Sequence, residues 1–304
     1  MMKAAERDLV ELSDLTAESI HEILERANAM CQQTYPLWSD DVRHVGLLFT
    51  EPSTRTVHSF RVASARLGVD VLEVQVGSSS LVKGESLADT ARTLEAIGAG
   101  VIVVRDREDE TARILSQVCR AGIINAGGGV RAHPSQGLID AYTLLEEFGD
   151  LQGKRIGIVG DVLHSRVARS DLIAFRALGA EVILVGPPHL QDHSLVAEGV
   201  RIESDLDAVV PQLDAIQMLR VQRERMDQDQ LGDIENYSES YQMNLDRLKR
   251  AQDSMVVLHP GPMNRGFEIT SEVADGDRSR IFAQVAAGVP VRMALLERAF
   301  GKGE

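Results

Sequence analysis

Three hydroxyls and one guanidinium stand almost side by side at Ser53-Thr54-Arg55-Thr56. Side chains of this kind suit an anion, because hydroxyls give neutral hydrogen bonds and arginine gives a charged, bidentate contact to phosphate oxygens. The same chemistry recurs further along, at Arg105, at His133 with Gln136, at Arg166, and at Arg220 with Gln222. A late turn, His259-Pro260-Gly261-Pro262, is stiffened by two prolines and presents carbonyls that can accept hydrogen bonds. Together these residues offer several cations, many neutral donors and one imidazole. They include no carboxylate cluster, no metal-ligand spacing and no defensible Ser-His-Asp order, so no metal and no cofactor is expected. A site of this composition, with no nucleophile of its own, suits direct transfer of a group between two anionic substrates.

Each residue also has a plainer reading. Ser and Thr at a helix start are ordinarily N-caps, but one cap needs one hydroxyl and this turn carries three. Arginines at strand ends often only close surface ion pairs. Gly127-Gly128-Gly129 before His133 could be a simple turn with a capping histidine.

The flanking sequence supplies the elements that must hold these groups. An apolar run at 45–49 reads as a buried strand, and Val57, Phe60, Ala63 and Leu67 continue at helical spacing. The anion turn therefore lies between a strand and a helix N-terminus near Ser53 or Thr54, where free backbone N–H groups and the helix dipole favour negative charge. Strands are expected at 69–76, 100–104 and 122–125, with helices from Thr16, from Ser86, at about 109–120 and at 134–148. The stretch 77–85, which carries Ser79 and Lys83, reads as a polar, flexible, glycine-bounded loop.

A second half restarts at Gly153, with strands near 155–159, 182–185, 214–219 and 255–258, a polar loop at 226–244, and a last helical stretch at 281–300 interrupted by Gly288 and Pro290. Alternating strands and helices predict an α/β fold of two parallel-sheet domains, 1–149 and 150–287, with 288–304 packing back on the first. Gly157 and Gly160 invite a dinucleotide-binding reading, but the spacing is not Gly-x-Gly-x-x-Gly and no acidic residue ends the next strand.

Composition narrows the choice of partner. The 304 residues carry a formal net charge of −14, which argues against nucleic-acid and anionic-membrane surfaces. An anionic substrate then needs a local cationic pocket. Two distant cysteines, Cys31 and Cys119, read as core thiols of a reducing compartment. Charges at Lys3, Glu6, Arg7 and Asp8, and the lack of a long apolar run, predict a soluble cytoplasmic protein.

In their order and wording the motifs resemble those of the aspartate/ornithine carbamoyltransferase family, and within it the catalytic chains that use aspartate. The matching segments are Phe49-x-Glu51-Pro52-Ser53-Thr54-Arg55-Thr56, Lys83-Gly84-Glu85-Ser86-Leu87-x-Asp89-Thr90, His133-Pro134-x-Gln136, Arg220-Val221-Gln222 and His259-Pro260-x-Pro262. The resemblance spans nearly the whole chain. It implies a carbamoyl-phosphate domain and an aspartate domain with the active site between them. Ser53, Thr54, Arg55 and Thr56 would hold the phosphate, and Thr56, Arg105 and His133 the carbonyl oxygen. Gln136 and the Pro260-Gly261 turn would hold the carbamoyl NH₂, and Arg166, Arg220 and Gln222 the carboxylates of L-aspartate.

Ser79 and Lys83 would enter the site of a neighbouring subunit in a homotrimer with shared active sites. Regulatory subunits or a dihydroorotase are possible further partners. The implied reaction yields N-carbamoyl-L-aspartate and phosphate, for pyrimidine synthesis. Val167 stands where some members have threonine, and Gly261 where others have leucine, which would loosen or reshape that turn. Rival readings are an ornithine-type carbamoyltransferase, a catalytically silent scaffold subunit and, least well supported, a dinucleotide-dependent oxidoreductase.

Overall fold

The computed structural model describes residues 7–32, 38, 42–221 and 236–301. Gln222, Lys3, Glu6 and most of the polar stretch at 226–244 lie outside the described residues. The chain divides into two compact units, one of residues 1–139 with 287–304 and one of 140–286. That division runs through a helix, whereas the sequence places the junction just after the same helix, at 149–150.

In the first unit, β1 (Arg43–Phe49), β2 (Val69–Val74), β3 (Ala99–Asp106) and β4 (Gly122–Gly128) form a parallel sheet in the order β2-β1-β3-β4. Parallel neighbours cannot be joined by a tight turn, so helices return the chain between them. These are α2 (Thr54–Leu67), α3 (Leu87–Ile97) and α4 (Thr111–Val118), preceded by α1 (Ala17–Cys31). Central β1 and β3 are buried through their middles, as continuous apolar runs require, whereas edge strand β2 is more exposed. At the other edge, Leu9 exchanges backbone bonds with β4, donating to Ile123 O and accepting from Asn125 N at 2.8 Å each, which covers that strand.

Caps expected from the sequence are present. The Thr16 and Ser86 hydroxyls accept from the backbone N–H of Ser19 and Asp89. Cys31, expected in a core, is exposed at the end of α1, and only Cys119 is buried.

In the second unit, β5 (Arg155–Val159), β6 (Glu181–Val185), β7 (Arg201–Glu203), β8 (Ala215–Met218) and β9 (Val256–Leu258) make a parallel sheet in the order β7-β6-β5-β8-β9. Its core joins Val159, Ile183, Ile216, Met218 and Val257 to Leu213, Tyr237 and Ile269. Helix α5 (Pro134–Phe148) precedes the sheet and α6 (Arg166–Ala177) follows β5.

Short helices α7 (Leu206–Val209), α8 (Tyr237–Tyr241), α9 (Leu245–Arg250) and α10 (Ser271–Ala274) lead to α11 (Ile281–Phe300). Contrary to the expected interruption, α11 runs unbroken through Gly288 and Pro290. Gly288 serves packing instead. A Cβ there would lie 2.6 Å from the Arg292 guanidinium, which donates to Ser59 Oγ at 2.9 Å.

Candidate active site

In parallel α/β sheets, ligands bind beyond the carboxyl ends of the strands, at the point where the winding reverses. The first sheet winds from β1 out to β2 and then crosses back to β3, so its reversal lies between β1 and β3. The second winds from β5 through β6 to β7 and returns to β8, so its reversal lies between β5 and β8. The anion turn and Arg105 follow the first pair, and Arg166 and Arg220 the second.

Within the first unit, Phe49 is in register with Arg105, and Thr50 N donates to Arg105 O at 2.9 Å. Ser53 takes the N-cap position of α2 in extended conformation, yet its side chain makes no capping hydrogen bond. The hydroxyl that a cap would consume is thus left for another acceptor or donor. Arg55 is exposed, and burial of part of its side chain is the sole influence that lowers its pKa, with no carboxylate opposing it. Thr56 is buried at the base of the turn. A helix N-terminus, a hydroxyl without a capping bond and an arginine with no carboxylate partner among the described residues have the chemistry that suits a phosphate-sized anion.

Arg105 is held differently. Its Nε lies 3.4 Å from Glu51 Oε2, so this cation already has a carboxylate neighbour. Asp106, next in sequence, is buried and works against its own burial. The hydroxyls of Thr111 and Thr50 and the backbone N–H groups of Arg107 and Glu108 keep its carboxyl below the usual range. Thr50 therefore staples the start of the anion turn to the end of β3 through the Asp106 carboxylate.

His133 is buried, and its carbonyl accepts from Gln136 N at 2.9 Å and Gly137 N at 3.2 Å, which starts α5. Its Nδ1 lies 3.5 Å from Ser135 Oγ. The glycines before it admit a carboxylate rather than a ligand. Gly129 has φ +43, and a Cβ there would collide with Asp109 Oδ1, the oxygen that accepts from Val130 N and Arg131 N. The stretch around Lys83 is two 3₁₀ turns, Val76–Ser78 and Ser80–Lys83, rather than an unstructured loop. Ser79 Oγ donates to Val76 O at 3.0 Å, and exposed Lys83 has no ion pair among the described residues.

Within the second unit, Arg166 opens α6 and is 8% exposed. Ser165 before it caps the helix, accepting from Ala168 N at 3.2 Å. Asp161 is fully buried, and its Oδ1 takes both the backbone N–H of His164 at 3.2 Å and the His164 ring Nδ1 at 2.8 Å. Arg220 stands two residues past the end of β8. Gly157 and Gly160 have packing reasons: a Cβ at Gly157 would sit 2.6 Å from Leu213, and one at Gly160 2.9 Å from the Tyr237 hydroxyl. Burial, with the Glu268 and Asp161 carboxylates nearby, pushes that phenol far above its ordinary range.

The His259-Pro260-Gly261-Pro262 turn is tightly held. Gly261 N donates to His259 Nδ1 at 2.8 Å, so Nε2 carries the ring proton and faces Glu268 Oε1 at 3.1 Å. Gly261 has φ +69, a conformation that leucine would adopt only with strain, so glycine here secures the turn rather than loosening it.

Comparison with known proteins covers both units. A model of the aspartate/ornithine carbamoyltransferase carbamoyl-P binding domain matches residues 7–146, and a model of the family's Asp/Orn binding domain matches 152–299. The chain belongs to the aspartate/ornithine carbamoyltransferase family. The aspartate carbamoyltransferase catalytic subunit of Halothermothrix orenii is 43% identical over 97% of this chain and 96% of its own length. The aspartate transcarbamoylase of Trypanosoma cruzi, solved with carbamoyl aspartate and phosphate, superposes with a TM-score of 0.85 at 30% identity, covering 96% of this chain and 95% of that one. Ornithine carbamoyltransferase from Pyrococcus furiosus reaches 0.86 at 29% identity over the full length of both chains. The fold is thus common to both branches of the family and does not choose the amine.

Among carbamoyltransferase motif residues, the structure brings together Ser53, Thr54, Arg55, Thr56 and Arg105 at one sheet reversal, and Arg166 and Arg220 at the other. Gln222 lies outside the described residues. Two acids beside candidate site residues had no assigned role in the sequence: Glu51 next to Arg105 and Glu268 behind His259. The Glu51 partner is 54 positions away and is read only in three dimensions, although Glu51 stands inside a recognised motif.

Proposed function

We infer that this chain is an aspartate carbamoyltransferase, moving the carbamoyl group of carbamoyl phosphate to the amine of L-aspartate with release of phosphate. The observation that carries the choice of amine is identity of 42–47%, mostly over nearly the whole chain, to curated relatives that are aspartate carbamoyltransferase catalytic subunits. The ready anion turn at Ser53–Thr56 supports carbamoyl phosphate as the donor.

In this reading Ser53, Thr54, Arg55 and Thr56 bind the phosphate. Thr56, Arg105 and His133 face the carbonyl oxygen, where negative charge grows as the amine attacks, and preorganised donors there lower the barrier. Gln136 and the Pro260-Gly261 turn orient the carbamoyl NH₂, and Arg166, Arg220 and Gln222 take the carboxylates of aspartate. Glu51 restrains Arg105, so that the guanidinium is aimed before substrate arrives. Ser79 and Lys83 complete a neighbour's site in a cytoplasmic homotrimer working in pyrimidine synthesis.

Carbamoyl transfer assayed in parallel with aspartate and ornithine is the test. Turnover with aspartate alone is expected. Preference for ornithine would overturn the assignment of the amine, and no turnover with either would favour the silent-subunit reading.

A further inference from the structure

Behind the late turn lies a polar cluster that none of the assigned roles uses. Strand β8 reads Ala215-Ile216-Gln217-Met218, and Gln217 is a fully buried amide in an otherwise apolar strand. Its Nε2 donates to Asp140 Oδ2 at 2.7 Å and to Asp171 Oδ2 at 3.0 Å. Both carboxyls are fully buried, Asp140 on α5 and Asp171 on α6. Gln284 on α11 donates to Asp140 Oδ1 at 2.7 Å and to Gln217 Oε1 at 3.4 Å. The remaining polar atom of Gln284, Oε1, accepts from the backbone N–H of His259 at 2.9 Å. An unbroken chain of side chains therefore runs from two acids to the residue before Pro260.

Two carboxyls that face each other in a dry interior resist ionising together, and no cation is among the influences that act on Asp171. Asp140 Oδ1 and Oδ2 each accept from an amide, which stabilises its charge. Asp171 Oδ1 is buried and, as a carboxylate oxygen, takes no N–H or O–H among the described residues. Burial and the facing Asp140 carboxyl, hydrogen-bonded to it, drive the Asp171 pKa well up. A proton on Asp171 would be donated to Asp140, whose two oxygens already accept from the Gln217 and Gln284 amides.

We propose that Asp140 and Asp171 share a single proton and that this pair, acting through Gln217 and Gln284, positions the His259–Pro260 backbone for the carbamoyl donor. The link to catalysis rests on the role given above to the Pro260 carbonyl; the shared proton does not. The amide orientations are dictated from one end of the chain to the other. The Asp140 carboxylate sets both glutamines, and Gln284 then presents an acceptor, not a donor, to His259 N. All four side chains are positioning residues.

The substitutions separate this from general packing. Asp171→Asn keeps a donor toward Asp140 and should hold kcat within roughly threefold of the parent, whereas Asp171→Ala should lose roughly tenfold. Asp140→Asn sets an amide N–H₂ against a glutamine N–H₂, and should lower kcat and raise the carbamoyl-phosphate KM with little change in that for aspartate. If Asp140→Asn does not fold, Gln284→Met cuts only the link to His259 and should give the same kinetic split.

Infrared difference spectra of parent against Asp171→Asn, recorded at neutral pH, should show a protonated carboxyl band that shifts in D₂O and persists in Gln284→Met. A missing band, or equal losses for Asp171→Asn and Asp171→Ala, would overturn the shared proton. Unchanged kinetics in Gln284→Met would overturn the positioning role. A parent that transfers no carbamoyl group would defeat the functional reading and leave the infrared result standing.

Discussion

Two turns in this molecule are built alike and used differently. After β1 and after β5 the chain passes through a serine at the N-cap and an arginine at the helix start, Ser53 with Arg55 and Ser165 with Arg166. Ser165 spends its hydroxyl on Ala168 N, and Arg166 is buried. Ser53 makes no capping bond, and Arg55 is exposed without a counter-charge among the described residues. The same local sequence grammar thus yields a completed helix end in one unit and an uncommitted one in the other. A hydroxyl the fold does not use is available to a ligand, and its loss should be felt in activity rather than stability.

Arg55→Ala tests the uncommitted end most severely. Turnover is expected to fall by roughly 10²–10³-fold or more, the cost of losing one preorganised donor at a developing charge, with an unchanged thermal unfolding curve. Near-parental steady-state kinetics would remove Arg55 from the phosphate site.

Lys83 is a second uncommitted cation, and its use should appear only across chains. Inactive Arg55→Ala and inactive Lys83→Ala chains, dissociated and reassembled together, are expected to regain part of the activity that neither has alone. Mixed trimers verified by mass that stay inactive would confine Lys83 to its own chain.

Arg220→Ala probes the other unit. The aspartate KM should rise roughly 10- to 100-fold, the range for a lost charged hydrogen bond, with a much smaller change for carbamoyl phosphate. Equal weakening of both substrates would contradict the division of labour.

The finest test sets the two serines against each other. Ser165→Ala should cost about 1 kcal/mol of stability, the usual value of a lost cap, whereas Ser53→Ala should stay within about 0.5 kcal/mol and lose activity. Denaturant unfolding of both variants decides the point; equal destabilisation would erase the contrast.

Much of this was legible in the chain because it is local. Val101-Ile102-Val103-Val104 announces a buried strand, Thr16 and Ser86 announce caps, and the helix expected at 134–148 is α5. Strand ends were legible less well. β3 and β4 run on to Asp106 and Gly128 because pairing with a neighbour, not propensity, carries them. The supporting acids were not legible at all. Glu51 meets Arg105, and Gln284 meets Asp140, across long loops of chain, and no periodicity marks such pairs. Gln217 looked like an ordinary strand residue because hydrophobic pattern does not register a polar side chain satisfied by distant partners. Proline in α11 misled in the opposite sense, since packing of Arg292 on Ser59 and Phe60 supports the helix through it.

The composition of the first unit has a consequence for synthesis. Residues 140–286 are contiguous, but the unit that begins the chain is completed only by residues 287–304. There, Phe300 meets Trp38 at 5.4 Å, Glu297 grips Arg26 through two bonds of 2.6 and 2.7 Å, and Ala299 lies so near Gly122 that any Cβ would touch its carbonyl. On the ribosome, the half that emerges first must therefore wait for the last turns of the last helix. The later-made half is contiguous and does not have to wait in this way, and a released chain that stopped before residue 287 would keep residues 140–286 whole while the first unit lacked residues 287–304.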